Sequence, residues 1–195
     1  VIISGGMDIS LGSIVSLTNV ILVKLNAAGL SLTAQIIICL TAALLMGLIN
    51  GIVIGWLRVT PLLATYATST VYAGIALWIL PTPAGTVAKV FCKWYNSWIF
   101  GVFPAPVLLA LLAFGLWLLI MQAPMKYWVY STGKHGFKAY VSGVPVAKTQ
   151  AFTYVFAGFV AGLASLAISG STQGGDAAVG ISLSMNAIAS CVIGG

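Results

Sequence analysis

Long apolar runs separated by short polar connections dominate the chain. Five of these runs occupy residues 9–25, 31–56, 61–80, 105–122 and 149–168. A helix needs about 20 apolar residues to cross a bilayer, because it rises only about 1.5 Å per residue. The pattern therefore predicts an all-α, polytopic transmembrane protein with about five full spans. A sixth apolar run, residues 185–193, is shorter and predicts a truncated last helix.

The stretch before the first span, residues 5–13, combines helix breakers with polar residues. Gly5 and Gly6 disfavour a helix, and Asp8 is expected to cap the next helix by accepting from its free backbone N–H groups. Interrupted helices of this kind line substrate paths in transporters. The stretch therefore predicts a broken or re-entrant segment. The simpler alternative is that Asp8 caps an ordinary helix at the membrane surface.

Hydroxyl side chains recur at helical spacing in two spans. The sets are Ser10, Ser13 and Ser16 near the start of the first span, and Thr65, Thr68 and Tyr72 in the third. Side chains three or four residues apart share a helix face, so we expect the second set to line a pathway. Such hydroxyls can instead bond back to the preceding turn of their own helix. Asn50 leaves helix packing and pathway lining equally open.

Small residues one turn apart predict close helix–helix contacts in the second and fifth spans. Without a side chain between them, two helix backbones can approach closely in a membrane. The glycines at this Gly-x-x-x-Gly spacing are Gly47, Gly51, Gly55, Gly158 and Gly162.

Three polar connections carry most of the charge. Residues 81–103 combine lysines with tryptophans and predict a loop at the membrane interface. Residues 125–148 are the most hydrophilic stretch and predict a glycine-broken loop, which we place in the cytoplasm because it is rich in lysine. Residues 169–184 predict a glycine-rich loop that contains Asp176. The cytoplasmic side then holds Arg58, Lys126, Lys134, Lys138 and Lys148, and the outer side holds Lys24, Lys89 and Lys93.

Composition excludes several protein classes. Charged residues make up 5% of the chain and hydrophobic residues 61%, whereas soluble domains carry about 25% charged residues. The net charge of +6 is too sparse for a nucleic-acid partner. We expect no metal, because His135 stands alone and the three cysteines are scattered. The sequence shows no combination of a nucleophile and a base that would indicate an enzyme, and we expect no cofactor.

Two stretches of the chain have a distinctive order of residues: residues 5–13 are Gly-Gly-Met-Asp-Ile-Ser-Leu-Gly-Ser, and residues 187–195 are Ala-Ile-Ala-Ser-Cys-Val-Ile-Gly-Gly. They resemble the signature G-G-I-D-L-S-x-G-S and the stretch A-I-A-A-V-V-I-G-G of one family, the ribose-type ABC transporter permeases. Residues 49–51, 57–61 and 142–144 also match, in the family order. Family members have a further helix before this region and more after it. The chain is therefore expected to be part, residues 1–195, of a single longer permease domain.

The resemblance implies a binding-protein-dependent importer in the bacterial inner membrane. ATP-driven alternating access would move a ribose-like monosaccharide across the lipid bilayer. The implied partners are a second permease subunit, an ATP-binding cassette ATPase and a periplasmic sugar-binding protein that docks on residues 81–103 and 169–184. The sequence has no G-x-x-x-x-G-K-[ST] motif, so ATP hydrolysis is expected in the partner.

The resemblance also implies roles for particular residues. The expected translocation pathway is formed by all or some of Asp8, Ser10, Ser13, Asn50, Thr65 and Thr68. The expected ATPase coupling loop is residues 125–148, with Gly133, Lys134, Lys138, Ser142 and Gly143. It lacks the G-G-N-x-x-A-A segment that the family carries before its Ser-Gly pair.

The sequence leaves three alternative functions open. A permease for a branched-chain amino acid shares the architecture, but its first motif should lack the Asp-x-Ser pattern. A permease for a sugar-like autoinducer belongs to the same superfamily. A secondary transporter would need an ion or proton relay, and only Asp8 and Asp176 are acidic.

Overall fold

The computed structural model describes residues 1–99, 103–122 and 125–194, and this part of the chain is almost entirely helical. A single 3-10 turn, η1, covers Ile2–Ser4. The α-helices are α1 (Leu11–Ala27), α2 (Leu32–Gly55), α3 (Pro61–Ile79), α4 (Lys89–Tyr95), α5 (Pro106–Gln122), α6 (Met125–Val141), α7 (Val146–Thr172) and α8 (Ile181–Gly194). Two short strands, β1 (Trp98–Ile99) and β2 (Phe103–Pro104), pair antiparallel.

Helices α2 and α7 pack closely against each other, and all five glycines at Gly-x-x-x-Gly spacing lie in their contact. A Cβ added to Gly51 would stand 2.8 Å from the Cα of Ala151, and one on Gly55 would stand 2.6 Å from the carbonyl oxygen of Ala147. The two helices run antiparallel, since Gly47 lies beside Gly158. Side chains at these positions would force the backbones apart.

Helix α1 lies in the middle of the bundle and contacts α2, α3, α7 and α8. Eleven of its 17 residues are buried, and they include Ser13, Ser16, Thr18 and Asn19. Polar side chains on a helix that is surrounded by other helices must find partners inside the protein. The candidate site is built from those partners.

The structure confirms an all-α membrane protein in its coarse form. Among the described residues, α2, α3 and α7 are each long and apolar enough to cross a membrane. Helix α5 and the start of α6 are long and apolar enough to cross a membrane only when they are taken together, and the angle between them is 87°. Helix α1 has 17 residues and falls just short of that length. The count of five full spans therefore remains a prediction.

The prediction of a glycine-broken loop over residues 125–148 is wrong, because α6 occupies most of that stretch. Gly133 lies inside α6, where its missing side chain lets η1 pack against the helix. A Cβ on Gly133 would collide with the carbonyl oxygen of Ile3. This tertiary contact requires glycine at Gly133, where the sequence pattern suggests a helix breaker. A turn then connects α6 to α7, with Gly143 at φ 83.

Two other predicted connections are shorter than expected. Residues 81–103 contain α4 and β1 as well as loop. Helix α7 continues to Thr172 and α8 begins at Ile181, so the connection between them is much shorter than residues 169–184. Backbone hydrogen bonds between Ala84 and Gly175 join these two connections at one end of the bundle.

The charged connections separate to opposite ends of the bundle. Arg58 and Lys148 line one groove of about 690 Å³ between the α2–α3 turn and the α6–α7 turn. At the other end, the Asn26 side chain near the end of α1 donates to the carbonyl of Thr86 at 2.7 Å. This grouping matches the sidedness that the lysines predict. Which end faces the cytoplasm remains a prediction.

Candidate translocation site

Residues 5–10 form a non-helical segment between η1 and α1 that carries the buried carboxylate of Asp8. Gly5 takes a left-handed conformation at φ 80, which ends η1 and turns the chain towards the bundle. The Asp8 side chain is only 5% exposed. One of its oxygens, Oδ1, accepts from the backbone N–H of Ser10 at 2.9 Å and from its hydroxyl at 2.6 Å.

Asp8 is not the N-cap of α1, contrary to the sequence prediction. The N-cap is Ser10, whose carbonyl accepts the first helical hydrogen bond from Ile14 at 2.9 Å. Asp8 still accepts from a backbone N–H group, but in a turn two residues before the cap position. A short acidic side chain bonds readily to the backbone two residues ahead, and that turn positions Ser10 to start the helix.

Asn50 of α2 extends this network across the bundle. Its Nδ2 donates to the Ser10 hydroxyl oxygen at 2.7 Å, while that hydroxyl donates to Asp8. The two donors from Ser10 and the positive N-terminal end of α1 stabilise the carboxylate away from water. The Asn50 oxygen, Oδ1, is buried and has no hydrogen-bond partner in the described structure.

The two threonines of α3 behave differently from each other. The Thr65 hydroxyl donates to Pro61 in its own helix at 2.9 Å and accepts from the backbone N–H of Ile9 at 3.3 Å. Thr65 therefore ties residues 5–10 to α3. The Thr68 hydroxyl bonds back to Ala64 and Thr65 of its own helix, both at 3.2 Å. The structure brings Asp8, Ser10, Asn50 and Thr65 together and leaves Thr68 outside the network.

The serines of α1 point to three different neighbours. Ser10 bonds to α2, the Ser13 hydroxyl bonds to Ser69 of α3, and Ser16 accepts from Gly180 at the start of α8 at 2.9 Å. Residues six apart on a helix lie about 120° apart around its axis, which separates Ser10 from Ser16. The hydroxyl pattern therefore joins helices together, rather than facing a single channel.

The starts of α1 and α8 bond to each other reciprocally, which the sequence analysis missed. The backbone N–H of Gly12 donates to the Ser184 hydroxyl at 2.7 Å, and the N–H of Gly180 donates to Ser16. The two glycine backbones touch, so a Cβ on Gly12 would collide with the carbonyl of Gly180. A Gly-x-x-x-Ser spacing occurs at both places and was the signal available in the sequence.

A second residue that the sequence analysis missed is Tyr154 of α7. Its side chain is 1% exposed, and its hydroxyl lies against Gly6, where any Cβ would overlap it. The hydroxyl has no hydrogen-bond partner among the described residues. By contrast, the hydroxyl of Tyr72 donates to the carbonyl of Met46 at 3.1 Å. A lone tyrosine in an apolar helix carries no sequence signal that distinguishes these cases.

A second polar junction lies at the middle of α1, around Asn19. Its Nδ2 donates to Ser169 at 2.7 Å, and its Oδ1 accepts from the backbone N–H of Asp176 at 2.9 Å. The Asp176 carboxylate in turn accepts from Ala178 at 2.8 Å. Asp8 and Asp176 thus belong to separate networks, one just before the start of α1 and one at its middle.

The residues expected to couple to the ATPase lie on α6 and the turn after it. Lys138 is exposed, and the Ser142 hydroxyl donates to its carbonyl at 3.0 Å. The side chains of Lys134 and His135 lie outside what the structure describes. Among the described residues, no group of three or more potential ligands could hold a metal ion. Cys39, Cys92 and Cys191 are free.

Over residues 1–195 the chain matches the family described as the branched-chain amino acid transport system permease component. The chain belongs to this family. It is 26% identical to the ribose import permease protein of Haemophilus influenzae, covering 100% of this chain and 62% of the relative. The galactofuranose transporter permease protein of Escherichia coli K12 is 29% identical, with 100% and 58% covered. An autoinducer 2 import system permease protein from Escherichia coli O9:H4 is 32% identical, with 100% and 61% covered.

The permease chain thus spans about three-fifths of the length of these relatives. No solved structure matches it. The resemblance to ribose-type ABC permeases is confirmed by these relatives. Together with the apolar helices, they identify a multi-pass protein of the inner membrane.

Proposed function

We propose that this permease chain forms the membrane pathway of an ABC importer for a ribose-like monosaccharide, driven by ATP hydrolysis in partner subunits. The observation that carries the proposal is the buried network of Asp8, Ser10 and Asn50 at the interrupted start of α1. An apolar bundle that only needed to pack would not require a carboxylate there, because burying a charge is unfavourable. Relatives named for ribose, galactofuranose and D-allose support a sugar as the substrate.

In this proposal residues 5–10 act as a movable closure of the pathway. The described structure shows the segment held by Asn50 from α2 and by Thr65 from α3. Release of these bonds would expose the oxygen-rich side chains of Asp8, Ser10, Asn50 and Thr65, whereas Ser13 of the expected pathway would stay bonded to Ser69 of α3. Hydroxyl groups of a sugar can replace the lost partners, since they both donate and accept. Thr68 has a weaker claim, because its hydroxyl is bonded within α3.

The contact between α6 and η1 supplies a route from the ATPase to this closure. Gly133 of α6 packs directly on the backbone of Ile3 and Gly5, and Gly5 lies three residues before Asp8. A shift of α6 would therefore displace residues 5–10 through backbone contact. We propose that the ATPase contacts the exposed end of this unit, with Lys138, Ser142 and Gly143 at the surface and Lys134 in the same helix. A second permease subunit and a periplasmic sugar-binding protein complete the proposed assembly.

A sugar-like autoinducer is the second candidate substrate. The observation that favours it is the 32% identity with an autoinducer 2 import permease. A branched-chain amino acid is the substrate that the family description suggests. It is less well supported, because relatives of the chain are named for ribose, galactofuranose and D-allose.

The test is uptake by the complete permease, assembled with its ATPase and binding protein in proteoliposomes. Labelled ribose, allose, autoinducer 2 and leucine are supplied in turn, with and without ATP. We expect ATP-dependent uptake of a monosaccharide that unlabelled leucine does not inhibit. Uptake of leucine alone, or uptake that persists without ATP, would contradict the proposal.

A further inference from the structure

Two buried polar atoms beside residues 5–10 have no hydrogen-bond partner within the described structure. They are the hydroxyl of Tyr154 and the side-chain oxygen of Asn50, on residues that are 1% and 0% exposed. Buried polar groups are nearly always paired, because an unpaired one has lost its hydration without a replacement. A third such atom, Oε1 of Gln35, lies apart from them, near the connection between α1 and α2.

Both atoms belong to residues that contact the same short segment. The Asn50 amide donates to Ser10 at the end of residues 5–10, and the Tyr154 hydroxyl lies against Gly6 near its beginning. Asn50 approaches from α2 and Tyr154 from α7, which are the helices joined by the glycine contact. The segment therefore covers two unused hydrogen-bonding groups that rigid helices hold in place.

We infer that Tyr154 and Asn50 form a subsite for hydroxyl groups of the transported ligand, which residues 5–10 cover in this structure. This inference rests on the proposed function. The Asn50 oxygen can accept from a sugar hydroxyl, and the Tyr154 hydroxyl can donate to one or accept from one. Neither group is charged, so the subsite suits a neutral polyol. Displacement of residues 5–10 opens it during the transport cycle.

A buried water molecule would satisfy the same two atoms without any role in transport. The two explanations predict different outcomes for Tyr154→Phe, which removes one oxygen and keeps the ring. If that hydroxyl holds a structural water, its loss lowers stability and leaves transport per folded complex unchanged. If it binds the ligand, its loss leaves the folded state intact or slightly stabilised, because an unpaired polar atom has gone, and transport falls.

Tyr72→Phe is the matched control. Tyr72 is also buried in the bundle, but its hydroxyl already donates to the carbonyl of Met46 at 3.1 Å. Removing it leaves that carbonyl without its partner, so the control should lose stability. The sequence pattern places Tyr72 on the same helix face as Thr65 and Thr68, but its hydroxyl is occupied within the fold, so the control should keep its transport rate per assembled complex.

The experiment measures both variants in the complete permease, reconstituted with its ATPase and binding protein. The readouts are initial ribose uptake per assembled complex, the half-saturating ribose concentration, ATP hydrolysis and the thermal unfolding temperature. For Tyr154→Phe we expect unfolding at or above the wild-type temperature and uptake reduced about tenfold, the effect of one lost hydrogen bond to the ligand.

Wild-type uptake per complex by Tyr154→Phe would overturn the inference, whether or not its unfolding temperature falls. If Tyr154→Phe is also less stable than the wild type, its uptake per complex is compared with that of an equally destabilised Tyr72→Phe. A lower uptake by Tyr154→Phe still supports the inference. Failure of the proposed function is distinguishable, because the wild-type complex itself would then import no monosaccharide.

Discussion

At the scale of single residues, the buried carboxylate of Asp8 is the most informative feature. Its partners in the described structure are the two donors of Ser10, and Ser10 is in turn held by Asn50. The turn that Asp8 forms with Ser10 would be served equally well by an asparagine, because only one side-chain oxygen is used. The charge is therefore the part of Asp8 that the fold does not explain.

Substitutions at Asp8 separate its structural role from its proposed transport role. Asp8→Asn keeps an oxygen for Ser10, so the complex should assemble at normal abundance but lose uptake if the charge serves gating or substrate handling. Asp8→Ala leaves the Ser10 donors unpaired at a cost of about 1–3 kcal/mol, so abundance should fall as well. Quantitative blotting and uptake by the complete complex measure both. Normal uptake by Asp8→Asn would leave only the structural role.

The sequence predicts Asp8 and Asn50 as candidates but cannot predict Tyr154. Polar residues in apolar runs are visible from composition, because membrane helices contain so few of them. Whether a polar group is paired depends on which helices meet, and that is decided by contacts between residues far apart in the chain. Tyr72 and Tyr154 look alike in the sequence, and only the packing shows that one hydroxyl is bonded and the other is not.

At the scale of helices, hydropathy predicts the position of the main elements well. Helices α2 and α3 begin and end within one residue of the predicted runs, residues 31–56 and 61–80. The physical reason is that the bilayer sets both the length and the polarity of a spanning helix. Helix α6 was missed because its glycines and lysines resemble a loop. Its Gly133 is explained by the approach of η1, a long-range contact.

Gly133 and Gly136 provide a matched pair for testing the proposed coupling route through α6. Gly133→Ala would place a methyl group against the backbone of Ile3, whereas a Cβ on Gly136 meets nothing within 4 Å. We expect Gly133→Ala to reduce uptake per molecule of ATP hydrolysed, because α6 and η1 must separate. Gly136→Ala should retain wild-type coupling and gain up to about 1 kcal/mol of helix stability. Equal coupling ratios in both variants would exclude this route.

The α2–α7 contact makes a prediction about stability. Gly51→Leu would insert a side chain where a Cβ already stands 2.8 Å from the Cα of Ala151. Overpacking costs about 1–3 kcal/mol, which corresponds to a fall of several degrees in the unfolding temperature. Gly74→Leu is the control, because a Cβ on Gly74 meets nothing within 4 Å. A thermal unfolding assay in detergent that shows no difference between the two would contradict close packing at Gly51.

At the scale of the whole molecule, the charges divide between the two ends of the bundle, and polar contacts reach from one end to the middle of α1 at Asn19. One end holds the network of Asp8, together with the groove that Arg58 and Lys148 line. The other end holds the bonded connections around Ala84 and Gly175, and Asn19 at the middle of α1 bonds to the second of these connections at Asp176. Helix α1 connects the network of Asp8 to that of Asn19, and it packs against α2 and α7.

The last prediction concerns which end of the bundle faces the cytoplasm. More lysine and arginine residues are predicted at the Arg58 end than at the Lys24 end, and cytoplasmic loops carry the excess of positive charge. Single cysteines at positions 89 and 138, with Cys39, Cys92 and Cys191 replaced, report on the two ends, because Lys89 and Lys138 are both exposed. In intact spheroplasts, an impermeant maleimide should label Lys89→Cys and should reach Lys138→Cys only after the membrane is broken. The opposite pattern would invert the orientation, and the surface proposed for the ATPase would then face the periplasm.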